Sequence, residues 1–317
     1  MNHKYQHYIH GLPIFLLVIS VFTLSLLVSP YYIAGDQFHY RGVYEGLKNL
    51  NLTNGFILYI SSLDSKEVMH FFFSWLASNL SLDKDLFTAT SNAFLAYVVV
   101  VLLRKWQVSF FIIGLLLLTN FYFYVLYFSA ERLKFGFIFL MLSILHTRRF
   151  YVFAFLSIIS HVQVLVIYGS ILFEVLSSQF VRLVTAVKVK LTLIISVIFF
   201  LVLWFFLGEH LLSKFHYYYG EHGFSDLWRM FCFFILSLWY SKNKKQVVFI
   251  FIPMFMAVYL IGGERLNMMG YFIFLYYALP VKRGFNLGVL VTFAYFMFTS
   301  IGFIGNVLEY GDAFYEN

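Results

Sequence analysis

The feature that most constrains this chain is a series of long apolar runs separated by short clusters of charged residues. A helix needs about 20 mostly apolar residues to cross a bilayer, whose hydrocarbon core is about 30 Å thick. Only 12% of the residues are charged, whereas soluble domains carry about 25%. The sequence therefore predicts an all-α fold, a polytopic integral membrane helical bundle with about 10 to 12 transmembrane segments. The runs expected to cross are 13–33, 86–103, 108–127, 132–146, 150–173, 191–208, 227–240, 247–262, 266–280 and 287–304.

The charged residues are sorted between the two faces of the expected bundle. The positive-inside rule assigns 13 of the 22 Lys and Arg residues to one face, which should be cytoplasmic, together with only one acidic residue, Glu174. This sorting explains the net charge of +7 without a nucleic-acid partner, since the basic residues form short clusters. The clusters are Lys4, Arg104-Lys105, Arg148-Arg149, Arg182/Lys188/Lys190, Lys242/Lys244/Lys245 and Lys282-Arg283.

One apparent span, 150–173, contradicts this sorting if it crosses only once. Arg148-Arg149 precede it and Arg182 follows it, so both of its ends look cytoplasmic. An even number of crossings is required, and splitting the run at His161 provides it. Broken helices are tolerated only where protein or a water-filled cavity satisfies the freed backbone groups. We therefore expect His161 to line a cavity, on the far side or at membrane depth.

The chain shows no repeat and no linker, so it reads as one domain, 1–317. Its two larger non-cytoplasmic loops are expected at 34–66 and 208–226, and the apolar stretch 67–80 is expected to lie at the interface without crossing. The first run should be an uncleaved anchor, because it is long and lacks a small-x-small cleavage site. The single cysteine, Cys232, excludes an intramolecular disulfide and a CxxC motif.

Two expected spans begin with the same three residues, at Glu131-Arg132-Leu133 and Glu264-Arg265-Leu266. Both would lie on the non-cytoplasmic face, where positive-inside bias does not explain an arginine. Ionisable residues close to hydrocarbon are costly and indicate function. Paired arginines suit a pyrophosphate, since a guanidinium binds phosphate oxygens bidentately. The alternative is internal salt bridges, such as Arg132 with Glu131 or Glu264.

Three further segments are candidates for chemistry. In Gly35–Arg41, the side chains of Asp36, His39 and Arg41 could reach one cavity, where a carboxylate could act as a base or orient a hydroxyl; a solvated loop is the alternative. The imidazole of His161 could also act as a base, or be a packing residue. The segment 209–229, with His216 and Arg229, is either a substrate-facing or a plain solvated loop. Its histidines lie six residues apart, which does not match a zinc motif, so no metal and no other cofactor is expected.

The motifs of this sequence, taken in their order along the chain, resemble those of the Wzy/EpsG-type bacterial polysaccharide polymerases. The resemblance spans almost the whole chain. It rests on Gly35-Asp36 with Tyr40 after the first span, Glu67 before an apolar helix, Arg132 opening a span, a basic turn and His161, and a late Arg265 followed by Tyr271. Members of the family commonly have Gln where this chain has Leu133. They commonly have a small or hydroxyl residue where it has Gln163.

The resemblance implies a metal-independent glycosyl transfer outside the bacterial cytoplasmic membrane. The growing glycan would leave undecaprenyl pyrophosphate for a sugar hydroxyl on an incoming lipid-linked oligosaccharide. Arg132 and Arg265 would bind the departing pyrophosphate, and His161 or Asp36 would accept the hydroxyl's proton. The glycan-binding or supporting residues would be Tyr40, Arg41, Glu131, Glu264, His216 and Arg229. A flippase and a chain-length regulator would be partners in the same membrane.

Two other functions compete with this interpretation. A polysaccharide or lipid transporter would also carry intramembrane charges and broken helices. A transporter should show paired broken helices in two related halves, and the sequence shows no such halves. A membrane acyltransferase that uses His161 is the second rival, but its usual donor approaches from the cytoplasm.

Overall fold

The computed structural model describes residues 3–184, 198 and 227–315. The regular elements in these ranges are all helical, and no strand occurs among them, which confirms the predicted all-α class. The helices are α1 (His3–Val28), α2 (Asp36–Gly46), α3 (Leu52–Leu63), α4 (Val68–Asn79), α5 (Lys84–Lys105), α6 (Phe110–Thr119), α7 (Phe121–Tyr124), α8 (Glu131–Leu145), α9 (Phe150–Ser160), α10 (Val164–Val184), α11 (Leu227–Tyr240), α12 (Lys244–Ile261), α13 (Glu264–Ala278) and α14 (Leu287–Tyr310).

Several helices are suited to a bilayer. Within the described ranges, four helical segments are long and apolar enough to cross it, or six if each of two bent helix pairs is counted as one span. The protein is therefore a multi-pass helical membrane protein. Shorter apolar helices, too short to cross alone, also occur among the described residues, in α3, α10 and α11. The predicted number of 10 to 12 spans stays a prediction. The expected span 191–208 lies almost wholly outside the described residues.

The chain divides into two compact units, which are described separately. The first comprises Met1–His161 and Lys282–Asn317, and the second comprises Val162–Val281. In the first unit, α1 packs along α5, α8 packs against α9, and α14 lies beside α6 and α7. In the second unit, α12 packs against α10 and α11, and α11 also packs against α13. The expectation of a single domain stays a prediction.

Buried hydrogen bonds join the long helices of the first unit. The amide of Asn92 on α5 donates to the hydroxyl of Ser25 on α1, at 3.0 Å. Ser157 on α9 donates to the carbonyl of Gly136 on α8, at 2.7 Å. The exposed turn that carries Arg148 and Arg149 joins α8 to α9, and the two axes differ by 118°. The chain thus returns toward the end of the unit at which α8 began.

The segment 34–66 is not the loop that the sequence analysis expected. Its polar composition concealed two amphipathic helices, α2 and α3, each with one buried face. The side chain of Asn51 caps α3 by accepting a hydrogen bond from the backbone N–H of Asn54, at 2.8 Å. Tyr59 and Phe71 pack together in the small core between α2, α3 and α4. In line with the prediction, α4 is not among the candidate spans.

The first unit has two chemically different ends. At the basic end, Lys105 donates to the carbonyl of Leu145 at 3.3 Å, and Arg283 donates to the carbonyl of Gln107 at 3.4 Å. The predicted clusters Arg104-Lys105, Arg148-Arg149 and Lys282-Arg283 therefore share this end. The opposite end, called the site end below, contains residues 29–36, 65–68, 83–85, 129–132 and 311–312.

Two apolar runs of the first unit are interrupted at a polar residue. The break predicted at His161 is present: α9 ends at Ser160, His161 is extended (φ −161°, ψ 119°), and α10 begins at Val164. At 11 residues, α9 is about 16 Å long, which is too short to cross a bilayer. The second break, at Asn120, bends α6 by 58° relative to the helical segment that follows and was not predicted. A π-helix, Val125–Ser129, continues from α7 to the start of α8.

Candidate active site

Glu67 is the centre of the polar cluster at the site end. It precedes the first residue of α4, and its side chain is buried. One carboxylate oxygen receives a hydrogen bond from the hydroxyl of Ser65 at 2.7 Å and an ion pair from Nη1 of Arg132 at 3.0 Å. The other oxygen is in close contact with Nδ1 of His161. Three segments far apart in the sequence therefore meet at one carboxylate.

The charges around Glu67 keep its carboxyl group ionised. Burial raises the pKa of a carboxylic acid. Here the neighbouring His161 and Arg132 outweigh burial and hold the pKa of Glu67 well below its usual range. A charged Glu67 accepts the hydrogen on Nδ1 of His161 and fixes the orientation of the imidazole ring. Any proton transfer by His161 to or from a substrate must then use Nε2.

Arg132 lies in the first turn of α8, as the sequence predicted. Its Nε donates to the hydroxyl of Tyr40 at 3.1 Å, and its guanidinium lies 5.8 Å from the centre of the Tyr40 ring. The side chain retains 19% exposure, whereas Glu67 is nearly enclosed. Arg132 therefore combines a fixed position with access from outside the cluster. Its ion-pair partner in the first unit is Glu67, whereas Glu131 pairs with Lys84.

Glu131, the residue before Arg132, forms a second buried cluster. Nζ of Lys84 donates to both of its carboxylate oxygens, at 2.8 and 2.6 Å, and the amide of Gln37 donates to one of them at 2.8 Å. Nε2 of His70 lies 3.6 Å from the other oxygen. Glu131 has no exposed surface. Its role as a glycan-binding or supporting residue stays a prediction.

A fully buried lysine continues the polar cluster into the span. Lys134, one turn after Glu131 on α8, donates to the side-chain oxygen of Asn92 at 2.7 Å. Asn92 in turn donates to Ser25 on α1. Amines are rarely placed at such depth in a membrane protein unless they pair or serve a function. Lys134 therefore belongs to the interior of the site.

Four helices begin at this cluster. Gln37 and Tyr40 lie in the first turns of α2, Glu67 precedes α4, Lys84 begins α5, and Glu131 begins α8. Each helix N-terminus carries a partial positive charge of about +0.5 and unpaired N–H groups. The side-chain contacts described above bring the four starts together, beside the carboxylates of Glu67 and Glu131.

Comparisons with known protein families, with curated proteins and with solved structures found no match. The chemistry of the cluster follows from its own residues. An imidazole oriented by a carboxylate is the usual arrangement of a general base, and an accessible arginine can bind a phosphate group. Among the described residues, no group of three or more His, Cys, Asp or Glu side chains is placed to hold a metal ion.

The other predicted residues of the first unit lie around α2. Asp36 begins this helix and is half-buried, and its role as a base stays a prediction. Arg41 pairs with Asp85 and donates to the carbonyl of Ser29 at 2.7 Å, so it ties α2 to the neighbouring helices. Arg41 and His39 also line an open surface pocket of about 370 Å³. The glycan-binding role suggested for Arg41 stays a prediction.

The remaining predicted residues belong to the second unit or lie outside the described ranges. Arg265 is in the first turn of α13, and Arg229 is exposed on α11. The predicted pairing of Arg265 with Arg132 at one pyrophosphate stays a prediction. The side chain of Glu264 and the whole of His216 are outside the described residues.

Sequence reasoning missed most of the supporting residues. Glu67 was noted only through the family resemblance, and Lys84, His70 and Lys134 were not singled out. A signal was present for Lys134, since it interrupts an apolar run two residues after a Glu-Arg pair. Lys84 and His70 gave no such signal, because each looks like an ordinary polar residue near a helix start.

Proposed function

We propose that this protein is a membrane glycosyltransferase that joins lipid-linked oligosaccharide repeat units into a surface polysaccharide, such as O-antigen, capsule or exopolysaccharide. The observation that carries the proposal is the position of Arg132. It reaches the surface of a buried cluster beside a carboxylate–histidine pair, where four helix N-termini converge. A pyrophosphate leaving group is an anion that such a site would stabilise.

The reaction that fits these residues is a single displacement at an anomeric carbon. Nε2 of His161 takes the proton from a sugar hydroxyl of the incoming unit. The hydroxyl oxygen bonds to the anomeric carbon of the growing glycan, and the bond from that carbon to the lipid pyrophosphate breaks. The pyrophosphate leaves with the electron pair, and Arg132 neutralises its charge. Glu67 stabilises the imidazolium that forms on His161, as a carboxylate does in other carboxylate–histidine pairs.

The proposed location follows from the sorting of charge. If the basic end is cytoplasmic, as the positive-inside rule requires, the site end faces the periplasm or the cell exterior. Undecaprenyl pyrophosphate would then carry the repeat units in the inner membrane, after a flippase has delivered them. A chain-length regulator would be a further partner, and the proposed reaction uses no cofactor.

A transporter for polysaccharide or lipid is the second candidate. Two observations favour it: the helix breaks at Asn120 and His161, and the buried amine of Lys134. Discontinuous helices and intramembrane charges often form transport sites. A transporter would not need the His161–Glu67 pair to accept a proton from a sugar hydroxyl. Loss of the gene therefore has different consequences under the two proposals.

The test is to delete the gene in its source bacterium and to separate surface polysaccharide by gel electrophoresis. Loss of a polymerase leaves surface glycan that stops at one repeat unit, whereas loss of a flippase leaves none. Complementation with Arg132→Ala should not restore long chains, although the protein remains inserted, since the leaving group loses its cation. Arg104→Met, at the basic end, is the matched control and should restore them. Unchanged chain length in the deletion strain would refute the proposal.

A further inference from the structure

The first turn of α8 carries Arg132 but has no side-chain cap of its own. The residue before the helix, Ala130, has φ −100° and ψ 55° and cannot cap, and the preceding segment is a π-helix. The first four N–H groups of a helix lack partners within the helix, so uncapped ends fray. A frayed first turn would let Arg132 move away from Glu67. Some other interaction must therefore hold this turn.

The buried pair of Lys84 and Glu131 is placed to do so. Glu131 is the first residue of α8, and Lys84 is the first residue of α5. The side chain of Asp83 caps α5 by accepting from the N–H groups of Asp85 and Leu86, at 2.8 and 3.1 Å. The start of α5 is thus well fixed. Through Lys84, it fixes the start of α8.

We infer that Lys84 and Glu131 are positioning residues for Arg132. The two hydrogen bonds from Lys84 and the one from Gln37 hold Glu131 against the starts of α5 and α2. Arg132 follows Glu131 directly, so its backbone is fixed by the same contacts while its side chain pairs with Glu67. The expected effect of these residues on turnover rests on the proposed function. Their expected effect on the position of the Arg132 side chain does not depend on any activity.

A general structural role would not explain this arrangement as well. Replacing a buried ion pair by apolar residues is often neutral or even stabilising, so such pairs are poor devices for stability alone. Hydrogen bonds to both oxygens of one carboxylate instead restrict its orientation. The two explanations differ in a measurable way. A positioning pair acts through Arg132, whereas a structural pair acts on the whole unit.

The first measurement follows Arg132 directly. Purified protein in detergent is treated with phenylglyoxal, and the modification rate of each arginine is read by mass spectrometry of its peptides. In Lys84→Met, Arg132 should react about tenfold faster than in the wild type, because its ion pair with Glu67 is loosened. Arg283, at the basic end, is the internal reference and should keep its rate. Arg104→Met is the matched control: it removes a cation from the other end of α5 and should leave Arg132 unchanged.

The second measurement is a double-mutant cycle on the turnover of polymerisation. Lys84→Met alone should lower turnover about 10²-fold, the effect expected for a misplaced charged group. In an Arg132→Lys background, Lys84→Met should lower turnover by less than about threefold, because the group that Lys84 positions is already altered. Arg104→Met should have the same effect on turnover in both backgrounds.

Each result decides between the explanations. An unchanged Arg132 modification rate in Lys84→Met overturns the inference even if the enzyme polymerises, and so does a turnover loss of equal size in both backgrounds. A faster rate in a protein that makes no polymer supports the inference and refutes the proposed function. If Lys84→Met does not give monodisperse protein, Glu131→Gln, which keeps the shape of the side chain, is measured in the same way and should show the same faster Arg132.

Discussion

At the scale of single residues, the site depends on a carboxylate that is shared by two partners. Glu67 orients His161 through one oxygen and holds Arg132 through the other. Removing its charge would affect both the proposed base and the proposed leaving-group cation. The neighbouring His161 and Arg132 outweigh burial and hold the pKa of Glu67 well below its usual range, which favours the charged carboxylate that both partners need.

Glu67→Gln should therefore lower polymerisation under conditions in which the variant stays folded. The amide can still contact Arg132, but it no longer stabilises a protonated His161. We expect turnover to fall by about 10² to 10⁴, with a smaller change in KM for the lipid-linked substrate. Steady-state kinetics on purified protein measure both. Glu309→Gln, which alters an exposed carboxylate of α14, is the control and should have wild-type kinetics.

Glu67→Gln should also change how the stability of the folded protein depends on pH. A carboxyl whose pKa is lower in the folded than in the unfolded protein stabilises the fold at pH values above about 4.3. That contribution is lost as the pH falls further. The thermal midpoint of the wild type in detergent should therefore drop between pH 5 and pH 3 by more than that of Glu67→Gln. Equal drops would show that Glu67 is not held ionised by its neighbours.

At the scale of elements, the site is made by helix starts. The start of α2 depends on Gly35, whose φ of 55° and ψ of −137° are strained for residues with a side chain. The N–H groups of Ile33 and Ala34 donate to the carbonyl of Gly311. The conformation of Gly35 turns the chain from this contact into the start of α2. The position of Tyr40 beside Arg132 follows from that turn.

Gly35→Ala should destabilise the first unit. We expect a loss of about 1–3 kcal/mol from backbone strain, since a Cβ at this position would also lie 2.7 Å from the carboxylate of Asp312. The measurement is the thermal midpoint in detergent. Gly42→Ala is the matched control: it lies within α2, and apart from the adjacent backbone of that helix nothing lies within 4 Å of its Cβ position. It should be neutral or stabilising because Ala favours helix, and equal losses in the two variants would contradict this explanation.

At the scale of the whole molecule, the sorting of charge predicts which end of the first unit faces the cytoplasm. A cysteine at the basic end should be labelled by a membrane-impermeant maleimide only after cells are made permeable. A cysteine at the site end should be labelled in intact cells. Arg148→Cys and Glu309→Cys, both exposed positions, are suited to this test after the native Cys232 has been replaced. Labelling in the opposite order would place the proposed active site in the cytoplasm.

Much of this organisation could be predicted from the sequence. The break at His161 followed from counting charged ends, and the choice of Arg132 as a candidate residue followed from a position that positive-inside bias does not explain. Helices α2 and α3 were missed because their short apolar faces are interrupted by polar residues. The ion pair of Arg132 with Glu67 was not predicted, because the two residues are far apart in the sequence and only Glu131 and Glu264 were considered as partners.

Three properties could be read from the sequence: that the chain enters a membrane, that three of its basic clusters share one end of the first unit, and that one apolar run breaks at His161. These properties follow from hydropathy and from the rule of positive charge, both of which depend on local composition. The pairing of each cation with its carboxylate became visible in the three-dimensional structure alone. Glu67 and His161 are 94 positions apart, and Lys84 and Glu131 are 47 apart. Such pairs form only where helix starts converge in space, and local composition carries no information about that convergence.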